Sequence, residues 1–230
     1  MADYLIIGAS SGTGKQLKKQ LTDEGHRITG TYYKNAEAEN TEELHYLNVL
    51  EENPSLDFIP GTLDGLVYCP GSIQLRPIHR MNTETFLEDY QLNVLGIIRI
   101  IQHCLPALKR SGRASVVLFS TVAVQLGLPF HSLVAASKGA VEGLTRAMAA
   151  EFAPSIRVNC IAPSLTSTPL AAPFISQPEK SEANAQRHPL KRIGQAEDLA
   201  NAAQFLLSER SGWITGQVIA VDGGLSTLKV

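Results

Sequence analysis

The turn "GASSGTGKQL" (residues 8–17) carries Gly8, Ser10, Ser11, Gly12, Thr13 and Gly14 between an apolar run and a helical pattern. Glycine lets a backbone turn sharply and come close to a diphosphate, and the helix N-terminus that follows offers N–H groups and the positive end of a dipole. A full α/β alternation follows this turn, which makes dinucleotide binding its leading reading. A second group lies in "HSLVAASKGA" (131–140), where Lys138 follows Val134 by four residues and His131 by seven. Positions three, four and seven apart share a helix face, so these side chains line one surface. Histidine titrates near neutral pH, as a proton donor should, and His131 is the candidate acid of this face. The alternative for His131 is a loop histidine after Pro129 that points to water. The alternative for Lys138 is a solvated lysine on an amphipathic helix.

The end of the second apolar run bears on the choice of dinucleotide. NAD sites tend to place an Asp or Glu there to hold the 2′-hydroxyl of the ribose. This chain has "GTYYKN" (30–35) and no acid before Glu37. Thr31 or Tyr32 could face a 2′-phosphate and Lys34 could pair with it. The reading favours NADP(H), with NAD(H) as the alternative; Lys34 as a solvated loop lysine stays open.

Strand and helix patterns alternate along the chain and must position these groups. Apolar runs at 3–8, 26–33, 43–49, 63–71, 113–120, 155–163 and 216–224 read as strands, several of them ending at glycine. Helical patterns cover about 14–24, 83–108, 133–152 and 196–207. Repeated βα units call for a doubly wound, Rossmann-type α/β fold: a seven-stranded parallel sheet with helices on both faces. No composition break divides residues 1–230, which read as one dinucleotide-binding domain. The insertion at about 164–194 holds Pro169, Pro173, Pro178 and Pro189, which break up any long helix. A loop of that length is often a lid or a substrate loop, the alternative being a surface excursion.

Composition narrows the function. The chain has 230 residues, 44% hydrophobic and 18% charged, with a formal net charge of −2. This suits a substantial core and gives no basic face for nucleic acid. No apolar run reaches the ~18 residues expected of a membrane span, and "MADYLIIGAS" lacks the basic n-region of a signal peptide. Cys69, Cys104 and Cys160 are far apart in apolar surroundings and read as reduced, buried thiols of a cytoplasmic protein. No Cys/His cluster has zinc-ligand spacing.

With the glycine turn, the helix lysine and the C-terminal "WITGQVIAVDGG" in view, the chain resembles the short-chain dehydrogenase/reductase family over essentially its whole length. Within that family it is most like the 3-oxoacyl-acyl-carrier-protein reductases. "GASSGTG" (8–14) matches the cofactor turn, "NVLG" (93–96) the asparagine motif, "FSTVAV" (119–124) the serine strand, and "ASKGAVEGLTRAMAAEFAPSIRVNCIAPS" (136–164) the lysine helix and the strand after it. The resemblance implies that Asn93 serves structure and proton relay and that Lys138 binds the nicotinamide ribose. It also implies that Gly71, Pro163, Thr168 and Pro169 stand near the cofactor, and that Asn48 replaces the aspartate that contacts adenine. It implies a small-molecule substrate and a homo-oligomer, a tetramer or a dimer, in which the lysine helix meets its copy.

The departures fall on the chemistry. The family's catalytic serine corresponds to Thr121, which keeps a hydroxyl for a substrate carbonyl. The family's catalytic tyrosine corresponds to Val134, which cannot carry a proton, and "NNAG" corresponds to "YCPG" (68–71). The related enoyl reductases place their tyrosine seven before the lysine, where His131 stands here. Tyr68 ends the fourth strand, where its place suggests packing. Two functions follow: an oxidoreductase acting on a carbonyl or enoyl compound with a displaced acid, or a non-catalytic dinucleotide-binding sensor or partner. Asn93, Thr121 and Lys138 favour the first; Val134 and "YCPG" favour the second.

Overall fold

The computed structural model describes residues 1–34 and 44–229. Glu37, the first acid after the second strand, and Glu43, the expected start of the third, lie outside the described residues. The seven strands are β1 (Asp3–Ile7), β2 (Arg27–Tyr32), β3 (Leu44–Tyr46), β4 (Gly65–Tyr68), β5 (Ala114–Phe119), β6 (Ile156–Pro163) and, last in the chain, β9 (Val218–Val221). They form one sheet in the order β3-β2-β1-β4-β5-β6-β9, every neighbouring pair parallel. This is the doubly wound arrangement that the alternating runs imply. The strand order reverses between β1 and β4, and that switch point is where an open α/β sheet leaves a crevice at its carboxyl edge.

The helices cover both faces, and side-chain alternation along the strands explains why. Leu5 and Ile7 of β1 face one way and Tyr4 and Ile6 the other. The first face packs with Leu66, Val116, Leu118 and Val158 against α3 (Gly96–Ser111) and α5 (Ser132–Phe152). The second packs with Val67, Val117 and Ile161 against α1 (Gly12–Asp23) and α8 (Ala196–Leu207). Strands buried on both faces read as unbroken apolar runs, which is why they were legible.

The pattern over 83–108 does not form one helix. It runs as α2 (Thr83–Tyr90), a π-helical turn (Gln91–Leu95) and then α3. Asn82 caps α2 by accepting from the Thr85 N–H at 3.0 Å. The π turn has an identifiable cause. Tyr68, fully buried at the end of β4, donates its hydroxyl to the Leu92 carbonyl at 2.7 Å. In an α-helix that carbonyl would take the Gly96 N–H; here Gly96 bonds Gln91 instead, five residues back. The hydroxyl fits only because residue 96 is glycine, since a Cβ there would overlap it. Tyr68 therefore packs, as its place in the strand suggests, and it re-aims Asn93 in the middle of the turn.

The 164–194 segment also carries more order than its prolines suggest. β7 (Thr166–Ser167) pairs with β8 (Gly194–Gln195), closing the segment at its base. Between them lie α6 (Ala172–Ile175) and α7 (Pro178–Gln186). Pro178 starts α7 at its first turn, the helical position where a missing N–H costs nothing. One short helix, α4 (Ala123–Leu126), follows β5. No helix among the described residues is long and apolar enough to cross a membrane.

A double-mutant cycle tests the π turn. Gly96→Ala forces a methyl against the Tyr68 hydroxyl and should cost about 1–3 kcal/mol in urea unfolding. Tyr68→Phe should cost about 1–3 kcal/mol by leaving the Leu92 carbonyl without its donor. The double mutant should lose clearly less than the sum, because the overlapping atom is gone and the turn can revert to α-helix. Additive losses would contradict the mechanism.

Candidate active site

The carboxyl edge of the sheet gathers loops from β1, β4, β5 and β6 around a cavity of about 580 Å³. At the end of β1 the glycine turn is built by close approach. Gly14 packs so tightly on the Gly8 carbonyl that a Cβ at 14 would overlap it, and Gly12 takes a positive φ of +50°. Thr31 fixes this turn from β2. Its backbone carbonyl accepts from the Ala9 N–H and its buried side-chain oxygen from the Gly8 N–H, at 2.8 and 3.0 Å. Thr31 thus uses its side-chain oxygen as an acceptor inside the turn, which leaves its hydroxyl proton as a donor. Lys34 is exposed, with its ammonium 5.0 Å from the centre of the Tyr33 ring. Asn48 accepts from the Leu50 N–H through its side-chain carbonyl, which leaves the amide N–H groups as its donors. Of the turn residues, Thr13 reaches the cavity wall.

Lys138 lies where α5 meets the end of β5. It sits on α5, 8% exposed, and its Nζ donates to the Phe119 carbonyl at the end of β5, 3.0 Å away. Burial lowers its pKa to about 8, and nearby Cys160, Asp89 and Cys69 oppose that shift only in part. Gly71 lies over it: a Cβ at 71 would stand 3.5 Å from Lys138 Nζ and 3.4 Å from Asn93 Oδ1. Asn93 is fully buried in the π turn. Its Nδ2 donates to the Asp89 carbonyl and to Ser72 Oγ, at 2.9 and 3.2 Å. Its Oδ1 is buried and has no hydrogen-bond partner. An orphaned acceptor, a buried ammonium and a position without a Cβ thus border one gap, which fits a ligand carrying hydroxyl donors.

Thr121 follows β5 and lines the cavity. Its Oγ1 accepts from the Ala123 N–H at 3.2 Å, so its own proton is directed elsewhere. Val134 and His131 line the same cavity on the first turns of α5. His131 precedes the helix and its Nδ1 lies 2.7 Å from the Pro129 carbonyl. A carbonyl only accepts, so Nδ1 carries a proton and Nε2 is the remaining nitrogen. The residue before it, Phe130, has φ +67° and is exposed, a strained conformation for a bulky side chain. Pro163 and Thr168 complete the wall, and Thr168 also packs against Gly12. α6 and α7 cover the opening with Phe174, Asn184 and Arg187.

Sequence reasoning missed two pairs. Asp89 is buried, one oxygen accepting from the Ser72 hydroxyl and the other without a hydrogen-bond partner. Its position four before Asn93 was the available signal. His188, 3% exposed, bonds Ser164 from 24 residues away, and nothing local in the sequence links them. Cys69 corrects the expectation of three buried thiols: Cys104 and Cys160 are fully buried, but Cys69 is half-buried on the cavity wall.

The buried ammonium makes stability depend on pH. Its folded value of about 8 lies below the ordinary 10.5, so the unfolded chain binds more protons between those limits and stability rises with pH across them. Below about pH 8 the full burial cost is present. Lys138→Met should therefore be more stable than the wild type below pH 8 when no dinucleotide is added, with the gap narrowing toward pH 10.5 in urea titrations. Parallel pH curves for the two proteins would contradict this.

Comparison with known proteins identifies the family. The family model described as Enoyl-(Acyl carrier protein) reductase matches residues 56–226. The 3-oxoacyl-[acyl-carrier-protein] reductase FabG of Thermotoga maritima is 33% identical over 243 residues, covering 96% of both chains. A short-chain type dehydrogenase/reductase from Mycobacterium ulcerans superposes with a TM-score of 0.89 at 31% identity, over 98% of this chain and 90% of that one. ElxO with NADP bound superposes at 0.88 with 26% identity, over 99% of this chain and 100% of that one. The chain belongs to the short-chain dehydrogenase/reductase family of oxidoreductases.

Proposed function

We propose that the protein is an NADP(H)-dependent oxidoreductase acting on a carbonyl or enoyl compound, with an atypical proton donor. The observation that carries this reading is the convergence of Lys138, Thr121 and His131 on one cavity that also meets the glycine turn at Thr13. A nicotinamide dinucleotide, when bound, supplies or accepts the hydride. The glycine turn from Gly8 to Gly14, with Ser10 and Ser11, would hold its diphosphate, and Asn48 would pair with adenine. Lys138 would hold the ribose hydroxyls, while Gly71, Pro163 and Thr168 would flank the nicotinamide. The run "GTYYKN" (30–35), with no acid before Glu37, and the exposed Lys34 support NADP(H) over NAD(H), as does the NADP held by ElxO. The 3-oxoacyl and enoyl descriptions of the relatives support the substrate class.

Val134 stands where the family carries its catalytic tyrosine, so the proton must come from another group. Thr121 donates its hydroxyl to the substrate oxygen. His131, held at Nδ1 by Pro129, delivers a proton from Nε2 when it is an imidazolium and recovers it from solvent. The strained Phe130 supports this assignment, because strain of this kind clusters at functional sites. The 164–194 segment acts as the substrate lid of a single domain. The outward face of α5, with Gly143, Ala147 and Ala150 exposed, supports a homodimer or homotetramer through that helix.

NADPH oxidation against a panel of ketones, acyl thioesters and enoyl compounds tests the reading. His131→Gln should lower kcat by about 100-fold, the lower end of what an acid catalyst contributes. Lys34→Glu should raise KM for NADPH more than for NADH. An unchanged kcat in His131→Gln would refute the donor. Tight NADPH binding with no turnover of any class would identify a non-catalytic binder instead.

A further inference from the structure

We propose that Ser164 and His188 form a hydrogen-bond acceptor for a substrate hydroxyl, so that the substrate is a hydroxy-bearing carbonyl compound. The inference rests on the oxidoreductase reading above and adds the substrate class. Ser164 follows β6 and His188 follows α7 in the lid segment, and both line the cavity that holds Lys138 and Thr121. Ser164 Oγ lies 2.7 Å from His188 Nε2, and His188 Nδ1 lies 2.8 Å from the Asn184 carbonyl.

The direction of each hydrogen bond follows from what each atom can do. The Asn184 carbonyl only accepts, so His188 Nδ1 carries a proton. In the neutral imidazole Nε2 is then an acceptor, and the Ser164 hydroxyl must be its donor. With His188 in that neutral form, this spends the only proton Ser164 has. Its oxygen therefore meets the cavity through lone pairs alone and can only accept. The imidazole is 3% exposed, so the orientation is held by the packed end of the lid and not by solvent. Around it the cavity is lined by apolar groups, among them Leu75, Leu128, Val134, Leu165 and Phe174. A polar acceptor in such a wall rewards a ligand hydroxyl and penalises a ligand oxygen that brings only lone pairs.

Three probes that share one carbonyl separate these cases: 2-hydroxyacetophenone, 2-methoxyacetophenone and acetophenone. Binding to the NADP-loaded protein is read by calorimetry, and turnover by NADPH oxidation. The wild type should prefer the hydroxy over the methoxy compound by about tenfold or more in Kd, and in kcat/KM as well. Ser164→Ala should bring that ratio close to one, and Ser164→Thr, which keeps the hydroxyl, should retain it. His188→Phe frees the Ser164 proton to point into the cavity, so the ratio should shift toward the methoxy compound, a change that mere loosening of the wall would not produce. A wild-type ratio near one, a ratio unaltered in Ser164→Ala, or binding of none of the three probes would overturn the proposal. Binding preference without turnover would uphold it and count against the oxidoreductase reading alone.

Discussion

A buried ammonium sets the terms for this active site. Taking Lys138 out of water is costly unless its charge finds partners. The chain supplies one hydrogen bond, to the Phe119 carbonyl, and the carboxylate of Asp89 in the neighbourhood. The rest of the cost stands as a lowered pKa. What makes the arrangement useful is the space beside it. Gly71 leaves room over Lys138 Nζ, and Asn93 Oδ1 waits there without a donor. A ligand with vicinal hydroxyls satisfies both groups at once, so binding relieves a cost that folding incurs.

That arrangement depends on contacts far from it. Asn93 reaches the gap because the π turn rotates it there, and the π turn exists because Tyr68 captures the Leu92 carbonyl beside a glycine. Lys138 reaches it because α5 lies on the sheet face formed by β5 and β6, packed through Val141, Met148 and Phe152. Parallel strands order these pieces in depth. Their ends stop at one edge, so Gly8, Gly71, Thr121 and Ser164 meet there although they are scattered along the chain.

The sheet and its main helices were readable because both are repetitive. Buried parallel strands show as apolar runs, and α5 and α8 show as amphipathic periods that match their structural spans within about a residue. The glycine turn was readable because its glycines answer local backbone demands. What stayed hidden depends on partners distant in sequence. The break at Gln91–Leu95 comes from a tyrosine on another strand, and the brace on the glycine turn from Thr31 of β2. The order of the 164–194 segment comes from β7 and β8 pairing across it. The Ser164–His188 pair has no local pattern at all. His131 sits between these cases: its spacing from Lys138 was visible, while its Nδ1 anchor on Pro129 required coordinates.

The central claim is that one cavity holds the dinucleotide at Lys138 and the proton donor at His131, with Val134 between them. A crystal structure of the NADPH complex tests it most directly. The account predicts ribose hydroxyls within hydrogen-bond distance of Lys138 Nζ and Asn93 Oδ1, and His131 Nε2 facing the space above the nicotinamide C4. A dinucleotide whose ribose lies away from Lys138, or a His131 ring turned out to solvent in that complex, would contradict it.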